Sequence, residues 1–270
     1  MQETSKHQEI MGAPATFFGR ITDEYFARLP AYVAQNELLV RELLRLDRCA
    51  SVIDVGANIG VTAVTSSRAV AGGRVLALEP SPTAFADLVR SLNASGCANC
   101  VPLCVAAGNP PATPWWSFGR RKRATAHFLQ RDFVGGEVMA KKSPETIEVP
   151  LISLDDLVQE KGWDRVDLIK IDVDGPELDV LLGARNVLRR HRPRVVMEFS
   201  PYTLSYVGNV SPRAPLDFIL EEFGSFEYFR DGQMARVSTD EEVRAFLFTS
   251  MARSAIAVDD IAFGGPGHSG

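Results

Sequence analysis

The run Val52-Ile53-Asp54-Val55-Gly56-Ala57-Asn58-Ile59-Gly60 constrains the fold of this chain more than any other segment. It has the pattern of a buried parallel strand that breaks into a glycine-bearing turn and then opens a helix. Gly56 and Gly60 let the backbone turn sharply and bring its amides toward a ligand, where a side chain would collide. The helix that follows offers unpaired N–H groups and a positive dipole end, which suit a carboxylate or a phosphate. Glu79 closes the next apolar run, Val75-Leu76-Ala77-Leu78, and an acid there can accept both hydroxyls of a ribose. Together these features describe a nucleoside site at the carboxyl edge of a doubly wound, Rossmann-like α/β sheet.

Spacing selects the nucleoside. A dinucleotide turn follows G-x-G-x-x-G, and its second glycine clears space for a pyrophosphate. Asn58 stands at that second position here, and Gly60 comes one residue early. The turn therefore favours S-adenosylmethionine over a nicotinamide cofactor. The amino-acid end of that donor lies over such a turn, and its ribose meets the acid after the second strand. Pro80 and Ser81 continue the same edge beyond Glu79. Asp54 is expected to orient the turn or the donor's amino group, directly or through water. Asn58 either lines the donor site or caps the following helix.

With 270 residues the chain can bury a full core as one domain. Its net charge of −5 argues against nucleic acid or an anionic membrane as the main partner. No apolar run reaches the length of a membrane span, and the amino terminus lacks the apolar core of a signal peptide. A cytoplasmic location is the resulting expectation. Cys97, Cys100 and Cys104 have half the spacing of a zinc site, but Cys49 is two strands away, so the thiols are expected to be reduced and packed.

Hydropathy divides the chain into three parts. Residues 1–48 are expected to form a helical arm, a lid or a homodimer contact, with Leu38, Leu39, Leu43 and Leu44 at helical spacing. Residues 49–263 carry alternating strands and helices, with Ser81-Pro82 and Ser153 starting helices and one helix expected over 176–190. Residues 264–270 are a glycine-rich tail. Within the central part the alternation stops at 109–150, where prolines, Trp115, Trp116 and the basic run Arg120-Arg121-Lys122-Arg123 intervene. An insertion of this length in a compact domain is usually functional, and here it is expected to form strands or hairpins facing the substrate.

Four separated motifs, in order, resemble the FkbM family of class I S-adenosylmethionine-dependent O-methyltransferases. They are Val52–Gly60, Leu154-Asp155-Asp156-Leu157, Ile169-Lys170-Ile171-Asp172-Val173-Asp174-Gly175-Pro176-Glu177 and Glu198-Phe199-Ser200-Pro201. The resemblance covers about residues 50 to 201. It implies a seven-stranded, mostly parallel sheet in strand order 3-2-1-4-5-7-6. It also implies methylation of a hydroxyl on a sugar or a polyketide-type product. Family members often carry Glu-Gly-Ala where this chain has Asp174-Gly175-Pro176; the proline suits a helix start.

Methyl transfer from a sulfonium is an in-line displacement, so the protein must align an oxygen and exclude water. An alcohol also needs help to lose its proton. Asp172 and Glu198, at the ends of the fourth and fifth strands, are the expected catalytic carboxylates, and Asp172 also borders the donor. The two can hold a divalent cation such as magnesium with the aid of waters, or position the hydroxyl without metal. Asp174 suits the helix cap, and Glu177 its first turn. Ala106 and Ala107, after the third strand, are small enough for an adenine ring to lie against them. His127 is the best-placed histidine for a base. Trp115 and Trp116 suit stacking on a sugar, and Arg120 with its basic neighbours suits an anionic acceptor or RNA. An RNA methyltransferase and a silent nucleoside-binding protein are the rival readings. The acidic total charge weighs against the first, and the paired carboxylates weigh against the second.

Overall fold

The computed structural model describes residues 3–31, 36–110, 115–119, 127–129, 146–230, 232–253 and 258–265. The chain opens with strands β1 (Glu3–Ile10) and β2 (Ala13–Arg20), paired antiparallel around Met11 and Gly12. Both turn residues have positive φ, 49° and 76°, the twist that two-residue hairpins prefer. This corrects the helical arm expected over 1–48. The strand signal is alternation, since Ala15 and Phe17 point inward while their neighbours do not. Helices α1 (Glu24–Ala27) and α2 (Glu37–Leu43) follow.

The segment is integral to the core. Ile10, Phe17, Phe26 and Leu38 share one apolar cluster with Val52 and Val75 of the central sheet. Each buried phenylalanine is worth roughly 1.5–3 kcal/mol of transfer free energy. The Thr16 and Phe18 amides donate to the Ser95 and Ser91 hydroxyls, and Arg68 donates to the carbonyls of Ile10, Ala13 and Pro14.

Alternation begins with β3 (Ser51–Val55), α3 (Val61–Ala69), β4 (Arg74–Leu78), α4 (Pro82–Ala94) and β5 (Cys100–Leu103). Ser81 caps α4 through its hydroxyl, and Gly96 follows that helix at φ 69°. Four strands then form a second sheet: β6 (Ala106–Ala107), β7 (Trp115–Gly119), β8 (His127–Leu129) and β9 (Thr146–Ile152), in the order β6-β9-β7-β8.

Helix α5 (Leu154–Glu160), capped by Ser153, leads to β10 (Leu168–Ile171), α6 (Glu177–Leu182), α7 (Arg185–His191) and β11 (Arg194–Phe199). The single helix expected over 176–190 is broken after Leu182. At Gly183 the Gly108 carbonyl oxygen lies where an added Cβ would come within 1.9 Å. The rest is α8 (Pro201–Tyr206), α9 (Arg213–Phe223), β12 (Phe226–Arg230), β13 (Gln233–Val237), α10 (Asp240–Arg253) and β14 (Asp259–Gly264). Residues 266–270, most of the glycine-rich tail, lie outside the described residues.

The main sheet runs β13-β12-β14-β11-β10-β3-β4-β5. Strands β5, β4, β3, β10 and β11 are mutually parallel, and β14, β12 and β13 are added antiparallel. The sheet is therefore mixed and has eight strands rather than seven, because β13 folds back on β12 as an outer hairpin strand. The chain leaves β3 toward β5 on one side and returns to β10 and β11 on the other. The carboxyl ends of β3 and β10 thus flank the switch point where ligands bind in open sheets.

Candidate active site

The turn after β3 is held from both sides. The Gly56 and Ala57 amides both donate to the Leu78 carbonyl, and the Asn58 amide donates to Glu79 Oε2 at 2.9 Å. These three amides therefore serve the fold rather than a ligand, which corrects their expected outward role. Gly56, at φ +82°, is needed because a Cβ would sit 1.8 Å from the Asp172 carbonyl oxygen. Gly60, at φ +105°, packs on Leu88 and occupies the cap position of α3, so Asn58 is not the cap. Asn58 is itself left-handed, at φ 49°.

Asp54 is fully buried. Its carboxylate accepts from the Thr62 hydroxyl at 2.6 Å and lies 3.1 Å from Lys170 Nζ. Of its two expected roles, orienting the turn is the one compatible with this burial. Glu79 is also buried, and its second oxygen accepts from the Ser81 amide at 2.7 Å. Burial pushes its carboxyl up to about 7, against the pull of the Ser81 and Asn58 amides. Pro80 is buried behind it. Ala106 and Ala107 are committed to β6, which pairs with Leu151 and Ile152 of β9. With 2% and 8% exposure they sit in the core rather than on a pocket wall, which corrects the adenine contact expected of them.

Beyond β3 the strand ends become acidic. Asp172 follows β10 directly, its amide donating to Val55 O. Glu198 lies on β11 and faces Asp260 of β14 across the ladder. Carboxylate oxygens of Asp172, Asp174 and Glu198 all lie within 4.8 Å of one another, and each residue keeps partial exposure. Asp174 does not take the expected role of helix cap; α6 begins without a side-chain cap, and Asp174 turns to the cluster at φ 57°. Glu177, expected as a plain first-turn residue, is 1% exposed; its Oε1 accepts from the Gly175 amide, and its Oε2 has no hydrogen-bond partner among the described residues.

The electrostatics follow from crowding. Burial, then the Asp172 charge, pushes Asp174 up to about 7. Burial likewise lifts Glu177 and Asp260 to about 7. Burial and the neighbouring acids hold Glu198 well above the usual carboxylate range. Arg194, which opens the same strand, pairs with Glu42 and Glu227. Burial alone would lower the Lys170 ammonium, but the charges of Asp54 and Asp172 hold it above its ordinary value. A set of proton-hungry carboxylates at a strand edge can bind a hard cation or take a proton from a hydroxyl.

Sequence reasoning missed Lys170, Asp260 and a tyrosine pair. Lys170 reads as one polar residue in an apolar strand, and its position opposite Asp54 appears only once β3 and β10 pair. Asp260 needs the antiparallel pairing of β14. Tyr202 and Tyr206 lie one turn apart on α8, 55% and 77% exposed, with ring centroids 4.9 Å apart. The helix that carries them meets Gly175, the residue after Asp174, through Thr203 and the following Val207 and Gly208. Their i, i+4 spacing is visible in the sequence but does not distinguish an exposed pair from core. Of Trp115, Trp116 and His127 only the backbone falls among the described residues, and Arg120 lies outside them. Among the described residues the cysteines form no disulfide, and Cys97 and Cys100 are buried.

The model of the methyltransferase FkbM domain matches residues 54–251. The methyltransferase sdnD of Sordaria araneosa is 28% identical over 155 residues, covering 49% of this chain and 59% of that protein. The 31-O-demethyl-FK506 methyltransferase FkbM of Streptomyces tacrolimicus is 29% identical over 154 residues, covering 50% and 59%. Methyltransferase 1 of Beauveria bassiana (strain ARSEF 2860) is 25% identical over 184 residues, covering 61% and 74%. The chain thus spans about three fifths of the length of the first and the FK506-related protein.

Proposed function

The chain belongs to the FkbM methyltransferase family, and on that premise we propose that it transfers a methyl group from S-adenosylmethionine to a hydroxyl of a saccharide or a glycosylated or polyketide natural product. The observation that carries this reading is the cluster of Asp172, Asp174 and Glu198 beside the turn that Gly56 makes against Asp172. The relative named for 31-O-demethyl-FK506 supports the choice of oxygen as the acceptor atom.

The donor fits the residues present. Glu79 is a buried carboxyl at the end of β4 whose two oxygens each hold one amide and keep a further lone pair. Those lone pairs would take the ribose hydroxyls, while the Gly56–Gly60 turn and Ser81 would line the rest of the site. When bound, S-adenosylmethionine supplies an electrophilic methyl group. Asp172 and Glu198 then hold the acceptor oxygen in place and take its proton. The raised affinity for protons around Glu198 suits it to that acceptance. Magnesium fits the same three carboxylates, which offer hard oxygen ligands and leave room for water.

Calorimetric titration with S-adenosylhomocysteine, followed by transfer of a labelled methyl group to a panel of hydroxylated glycosides, tests the reading. Binding and label transfer that is lost in Asp172→Asn support it. Uptake of NADH with no heat from S-adenosylhomocysteine overturns it.

A further inference from the structure

Lys170 is 5% exposed and lies on β10, between β3 and β11. Its Nζ donates to Gly56 O at 2.8 Å and Val55 O at 3.4 Å. It also lies 3.1 Å from Asp54 Oδ1 and 3.5 Å from Asp172 Oδ2. The ammonium thus meets four oxygens from two different parts of the site, the two carbonyls by hydrogen bonds and the two carboxylates as ion pairs. Two belong to the backbone of the turn, one to the acid beneath it, and one to the acid at the neighbouring strand end.

Balancing the Asp54 charge would need only the first ion pair. The contacts to the carbonyls do something else. The amide sides of the same peptides are fixed by Leu78 O, so Lys170 closes the clamp from the opposite edge. The Val55 carbonyl also accepts the Asp172 amide at 3.1 Å, so the turn and the start of the acidic loop share an oxygen as well as an ammonium. Asp172 is the member of this set with an exposed side chain, at 44%.

We propose that Lys170 is a positioning residue that ties the donor turn to Asp172, so that donor binding and the engagement of Asp172 are energetically coupled through one buried ammonium. The inference rests on assigning the Gly56–Gly60 turn to the donor. By reciprocity, a ligand held at Asp172 alters donor affinity by the same factor by which the donor alters the affinity for that ligand.

A double-mutant cycle tests it. S-adenosylhomocysteine is titrated into the wild type, D172N, D54N/K170M and D54N/K170M/D172N. The D54N/K170M pair removes the ammonium without leaving a buried carboxylate unpaired, and the amide oxygen that D54N introduces still accepts from Thr62. In the wild-type background D172N is expected to weaken binding about fivefold or more. In the neutral background D172N is expected to change it by less than about twofold. An equal effect in both backgrounds, or none in the wild type, overturns the coupling. Absence of heat with the wild type overturns the donor assignment and the coupling with it. Should D54N/K170M fail to fold, D54N/K170Q replaces it: the shorter, neutral amide removes the charge that joins the turn to Asp172, so the same loss of the D172N effect is expected.

Discussion

Glu198 and Asp260 face each other directly across the antiparallel β11–β14 pair. Like charges in that position cost a ladder roughly 0.2–1 kcal/mol relative to neutral residues. Burial and the nearby Asp172 deepen the conflict, lifting Asp260 to about 7. The sheet could be built without this opposition, so its presence at the strand edge beside Asp172 and Asp174 marks the edge as a working surface.

Replacing Asp260 with Asn should therefore stabilise the protein at pH 7.5, by about 1 kcal/mol, and do little at pH 5, where the acid is already protonated. Thermal melts of both proteins at the two pH values check this. A lower melting temperature for the variant at pH 7.5 would contradict it.

The whole cluster implies a pH trend of definite sign. In the unfolded chain these carboxyls titrate at about 4, whereas Asp174, Glu177 and Asp260 hold their protons up to about 7 in the fold. Burial gives Glu79 the same behaviour. The folded state binds more protons than the unfolded one across that window, so stability falls as pH rises through it. Acids whose affinity is lowered by arginines, such as Glu222 and Asp240, are ionised throughout and do not oppose the trend. Melting of metal-free protein should be higher at pH 5 than at pH 7.5, and a rising profile would refute the assignment.

Glu79 holds two backbone amides with one carboxylate, and the proposed donor site gives it the ribose as well. Glu79→Gln presents an NH2 group to one of the two amides it now accepts. That should cost about 1–3 kcal/mol of stability and weaken S-adenosylhomocysteine binding about tenfold or more. Calorimetry together with thermal melts separates the two losses.

Two glycines with similar backbones should respond differently. Gly56→Ala drives a methyl to within 1.8 Å of Asp172 O, and the fold should lose about 3 kcal/mol or more. Gly96→Ala has the same kind of φ, +69°, but nothing within 4 Å, so only the left-handed cost of about 1–2 kcal/mol applies. Denaturant melts of both variants compare them directly.

Tyr202 and Tyr206 stand exposed on α8, and under the proposed function they are expected to stack on the acceptor. The double Tyr→Ala variant should melt like the wild type. Its KM for a glycoside acceptor should rise about tenfold while donor affinity holds. An unchanged KM would remove α8 from acceptor recognition.

The parallel core was legible because period and turn chemistry are local. Val52–Gly60, Ser81-Pro82 and Ser153 each state their structure within a few residues. That Asp172 and Glu198 come together near neighbouring strand ends was legible too, since parallel strands side by side align their carboxyl ends. What escaped was set by pairing between distant segments. Lys170 meets Asp54 only through the β3–β10 register, and Asp260 meets Glu198 only through β14. The amino-terminal hairpin escaped for a different reason. Its alternation is short, and its buried face is completed by Ser91 and Ser95 on α4 rather than by its own sequence. At Gly56 the missing side chain makes room for the Asp172 carbonyl, a neighbour that only the pairing of β3 with β10 reveals.

At Gly175 and Gly208 two bare backbones touch, with no room for a methyl on either. One belongs to the stretch carrying Asp172 and Asp174, the other to the bend just after α8. Fastened at this rivet, the loop that carries Asp172 and Asp174 is braced against the segment that follows β11, and any side chain added at either glycine would wedge two of the three acids away from the third.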